Sequence, residues 1–136
     1  MDISSRTAVD TFDLELIDPR SGDTLRNEAD EPCVITLHGP ASRAFKTAQA
    51  AANNRLLERM KRKGKAAVVT AEEDDAARAA FLTSITVRLT GFDYRGSANE
   101  DAVRAMYLDA GLGWIAEQVN SAAGDWGNFT MAAPTS

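Results

Sequence analysis

Cys33 and His38 are the sole cysteine and sole histidine of the chain, so thiolate, imidazole or soft-metal chemistry would have to be built around these two residues. They lie five residues apart in Cys33-Val34-Ile35-Thr36-Leu37-His38, a run whose β-branched residues predict a strand. On a strand, an odd separation sends two side chains to opposite faces. No Cys–His dyad or ligand pair is therefore expected; Cys33 reads as core filler and His38 as a strand-end residue beside a loop. The adjacent acids Glu72, Glu73, Asp74 and Asp75 lack the spacing and central glycine of an EF-hand loop. They read instead as a solvated helix start that complements the helix dipole. Gly91, Gly96, Gly111, Gly113, Gly124 and Gly127 follow no phosphate-cradling pattern and read as caps and turns. The expectation is a chain with no catalytic residues, no cofactor and no metal.

Arg55, Arg59, Lys61, Arg62, Lys63 and Lys65 form the one basic cluster, opposed only by Glu58. It lacks interleaved aromatics and belongs to a chain of net charge −5 and pI near 4.8, so nucleic-acid binding is not expected. Cations at a helix end also complement the negative dipole terminus. The opposite signs of residues 55–65 and 72–75 are read as charge balance within the chain, or as a means for copies to dock head to tail or for one patch to meet a charged partner helix.

The elements that must position these residues follow from periodicity. At 136 residues the chain fits one domain with a sizeable core, taken as residues 1–125 followed by a partly disordered tail, 126–136. One cysteine excludes an internal disulfide and suits a reducing compartment. The first residues show no signal-peptide pattern and no apolar run is long enough to span a bilayer, so a soluble intracellular protein without membrane contact is expected.

Phe12, Leu14 and Leu16 alternate with polar residues and predict a half-buried strand. Asp18-Pro19-Arg20-Ser21-Gly22-Asp23 is a turn signal, with a short return arm at residues 24–26, and residues 33–38 make the next strand. The class is α+β: a small N-terminal antiparallel sheet of about three strands followed by about four helices. The helices are expected over residues 41–63, from about 71 to 89, from about 98 to 110, and over 112–123. Thr70 with Glu73 and Ser97 with Glu100 have capping-box spacing. The stretch 84–89 is rich in β-branched residues, yet the period over the whole segment is nearer four than two.

Candidate partner-binding residues come from apolar faces. Phe45, Ala48, Ala52, Leu56 and Met60 form one stripe of the first long helix, and Phe81, Ile85 and Leu89 one of the second. Trp126 and Phe129, flanked by glycines outside the expected helices, either close the core or form an exposed anchor, since aromatic residues dominate interface energetics.

The order of these segments carries a resemblance. The strands around Phe12 and Val34, the alanine-rich helix after Pro40, the acidic-start helix ending in Leu89-Thr90-Gly91-Phe92, then Ser97-Ala98-Asn99-Glu100, Tyr107-Leu108, Ile115-Ala116-Glu117-Gln118-Val119 and the closing Asn128-Phe129 together resemble the tail assembly chaperones of long-tailed bacteriophages. The resemblance covers roughly residues 12–129, and Phe92 stands where a tryptophan would be expected after the glycine. It implies a non-enzymatic factor of the host cytoplasm, forming homo-oligomers, that coats the tape measure protein and keeps it soluble until tail tube protein subunits polymerise around it. Proteins of that family often also occur as a longer frameshifted product whose extra domain recruits the tube protein, and whether this chain has one is left open by its sequence. Two alternatives remain at this level. One is another virion component (a tail tube, terminator or connector subunit) with longer strands; the other is a small nucleic-acid-binding regulator using the basic cluster.

Overall fold

The computed structural model describes residues 2–63 and 71–130. A three-stranded antiparallel sheet in the order β1-β2-β3 is formed by Thr11–Glu15 (β1), Val34–His38 (β2) and Thr86–Thr90 (β3). Four helices accompany it: Arg43–Lys63 (α1), Ala71–Ile85 (α2), Glu100–Leu108 (α3) and Gly113–Ala123 (α4). The α+β class, with a small antiparallel sheet and four helices, is the expected one.

The third strand is a correction. Residues 24–26 contribute isolated bridges, Ile17 with Thr24 and Arg26 with Pro32, while the third strand is cut from the segment expected to complete the second helix. α2 stops at Ile85, and the chain passes straight into β3. Thr86 Oγ1 donates to the Leu82 carbonyl at 2.7 Å, satisfying one of the acceptors a helix end leaves open. The backbone beyond then pairs with β2, from Thr90 opposite Val34 to Thr86 opposite Leu37. Thr36 faces Arg88 and Leu37 faces Thr86, so Val87 is an extra, bulged residue. The sheet is thus completed across the α1–α2 pair rather than within the N-terminal segment.

Other bounds shift slightly. The cap of α3 is Asn99, whose Oδ1 accepts from Ala102 N at 2.9 Å, rather than Ser97. The expected third helix is cut short at Leu108, and Ala110–Leu112 form a short 3-10 turn. α2 begins at Ala71 as expected; its expected cap Thr70, the connector 64–69 and the tail beyond Thr130 lie outside the described residues.

The core lies between the inner sheet face and the helices. Leu16, Ile35 and Leu37 meet Leu82 and Ile85 of α2, Met106 of α3 and Val119 of α4, all at or near zero exposure. Phe129 closes one end, its ring edge-on to Phe12 at 5.5 Å and directly over Gly39, where an added Cβ would lie 2.5 Å from the ring. α1 is the outer helix. It packs chiefly on α2, through Ala48 and an edge-to-face contact of Phe45 with Phe81 at 5.5 Å.

Candidate functional site

The two residues best suited to chemistry are held apart. Cys33 is buried at one end of β2, its Sγ 4.0 Å from the Gly91 carbonyl oxygen, and burial pushes its thiol above the usual range, helped by the Glu28 carboxylate. His38 is half-buried at the other end of the strand, roughly 17 Å along it at strand rise. Among the described residues no three His, Cys, Asp or Glu side chains gather as a metal site would require. Glu73 is engaged by Arg59, with Nη1 3.4 Å from Oε2, so part of the basic cluster is balanced by part of the acidic one.

The surface features are more informative. α1 has 21 residues, about 31 Å of helix, and only its first half is well packed. Ala48 is buried and Ala52 half-buried, but Leu56 is 43% exposed, Leu57 55% and Met60 55%. The cause is helical pitch: four-residue steps overshoot a full turn by about 40° each, so the stripe from Ala48 to Met60 drifts by about 120° and leaves the α2 contact. Arg59, eleven residues after Ala48, takes the inward position and meets Glu73. Leu56, Leu57 and Met60 are left together at the end of the helix, beside the exposed cations Arg55 and Lys61.

A second feature is a groove of about 590 Å³ between the β1 side of the sheet and α4, lined by Leu14, Ile17, Pro19, Trp114, Glu117 and Asp125 among others. Its floor is fastened by Gln118, whose Oε1 accepts from Ile17 N and whose Nε2 donates to Ile17 O, both at 2.8 Å.

The partner-binding candidates therefore divide. Leu56, Met60 and Trp126, the last 55% exposed, are available at the surface. Phe45, Ala52, Phe81 and Leu89 are half-buried, the first and third spent on each other. Ala48, Ile85 and Phe129 are core residues, the last two with no exposure; Phe129 as an exposed anchor is corrected, because Gly39 and Phe12 enclose it. Sequence reasoning passed over Leu57, an apolar residue off the stripe in a polar stretch, which was the available signal. It also passed over the groove, whose Ile17 and Gln118 are joined across 101 positions and left no local signal. Comparison with known proteins finds no matching family model, no matching curated protein and no matching solved structure.

Proposed function

We propose that the protein is a non-enzymatic assembly chaperone of a bacteriophage tail, which holds the helical tape measure protein on the tip of α1 and helps recruit tail tube subunits in the host cytoplasm. The observation that carries this reading is the exposure of Leu56, Leu57 and Met60, side by side on a helix whose other half is packed. An amphipathic helix docks by laying its apolar face on such a surface, and apolar side chains clustered in water mark interaction sites. The client's identity rests on the segment order that resembles the tail assembly chaperones. A net charge of −5 favours solubility of a complex with an otherwise aggregating client.

The test is co-expression with the tape measure protein of the same genome, followed by affinity capture and sizing of the soluble fraction. The expected result is a soluble complex, with capture reduced at least about tenfold by the double substitution Leu57→Asp and Met60→Asp, a loss typical of removing central apolar anchors. Both positions are more than half exposed, so circular dichroism should show the fold retained. A client that precipitates while this protein stays free defeats the reading, and assembly of the protein alone into tubes would favour a virion component instead.

A further inference from the structure

The groove beside α4 and the tip of α1 have opposite character. Among the described residues the charged groups lining the groove are Glu117 and Asp125, with no lysine or arginine, and its apolar walls include Trp114 and Ile17, the latter 39% exposed. The tip presents Leu56, Leu57 and Met60 beside the exposed cations Arg55 and Lys61, while Glu58 is the sole acid of α1. The groove's volume, about 590 Å³, falls within the roughly 300–1,000 Å³ of clefts that hold a ligand. Gln118 occupies both backbone groups of Ile17, so this edge offers side-chain recognition rather than an added strand.

We infer that the occupant of this groove is the α1 tip of a second copy of the chain. Leu57 and Met60 enter between Ile17 and Trp114, and the basic end of α1 lies against Glu117 and Asp125. Both surfaces stand open in the same chain, so neither fills the other within it. Pairing like with like is disfavoured, because tip on tip gathers Arg55 and Lys61 while groove on groove gathers the carboxylates. The contact is therefore heterologous: each copy that uses its tip keeps an open groove, and association closes as a ring or continues as a chain. This inference does not depend on the client's identity, although a client on the tip competes with a second copy for Leu57 and Met60.

The test is sedimentation equilibrium of the full chain across a wide concentration range, alone and with two variants. Leu57→Asp with Met60→Asp disables the tip; Ile17→Lys with Glu117→Lys disables the groove. The wild type should associate with concentration, and more weakly as salt rises from about 0.05 to 0.5 M, which screens exposed charge pairs. Each variant alone should be monomeric, with association weakened at least about tenfold, and an equimolar mixture should form a heterodimer through the one intact tip and the one intact groove. A monomeric wild type overturns the inference. So does a groove variant that still associates, which a symmetrical α1 contact predicts, and so does a mixture that stays monomeric. The salt series on the unmodified protein needs no variant, and association that strengthens with salt would also count against the inference. Failure here leaves the capture experiment on the client untouched, and failure of that capture leaves this mixing result untouched.

Discussion

Tyr107 is 3% exposed, with its hydroxyl 2.7 Å from Thr86 Oγ1. Thr86 has one hydroxyl proton, and the Leu82 carbonyl 2.7 Å away can only accept, so Thr86 donates there and Tyr107 donates to Thr86. Burial pushes the Tyr107 phenol from its ordinary value of 10.0 up to about 12. Below the unfolded value the proton is bound in both states. Between about 10 and 12 the unfolded chain loses it while the folded chain keeps it, so stability falls as pH rises, by on the order of 3 kcal/mol. Tyr107→Phe should cost about 1 kcal/mol at pH 8 through the lost hydrogen bond. It should also flatten the alkaline fall, so that urea midpoints of the two proteins converge or cross toward pH 12; parallel profiles would contradict the assignment. The separation of Cys33 and His38 was legible in the sequence because strand alternation is a local property. The choice between core and exposed anchor for Phe129 was not, because it depends on Phe12 and Gly39, remote in the chain.

At the scale of elements, the α2–β3 junction is where a period and a tertiary contact disagree. Ala77, Phe81, Ile85 and Leu89 step by four, a spacing nearer the helical period than the strand period of two. The backbone beyond Ile85 instead pairs with β2, and β-branched Thr86, Val87 and Thr90 suit that role. Gly91 then turns the chain at φ +87°, where a Cβ would also meet the Pro32 carbonyl oxygen at 2.5 Å; this glycine was readable as a turn. The start of α3 provides a direct test. Asn99→Ala removes the side-chain acceptor for Ala102 N and should cost about 1 kcal/mol in urea unfolding. Ser97→Ala should cost less, because Ser97 Oγ contacts only Asn99 N, at 3.3 Å. A larger loss at Ser97 would restore the capping box expected from the spacing.

For the whole molecule, the described residues after α4, up to Thr130, are part of the packed unit. Val9 N donates to the Phe129 carbonyl, Ala8 bridges Thr130, and the Phe129 ring fills the space between β1 and Gly39. Phe129→Ala should therefore cost about 3–5 kcal/mol by the loss of apolar burial and the cavity left behind. Trp126→Ala, at a side chain 55% exposed, should stay within about 0.5 kcal/mol. Urea denaturation of the two variants decides the point, and equal losses would contradict the burial described. The sequence by itself determined the α+β class, the β1 and β2 strands, the start of α2 and the separation of Cys33 from His38, because these depend on neighbours within a turn or two of chain. Only the tertiary structure decided that the third strand comes from residues 86–90, that Phe129 is core, and that the tip of α1 and the groove of α4 stand open. Each depends on which remote segments meet, and on the drift of a 3.6-residue helix away from a four-residue stripe, which no local pattern records.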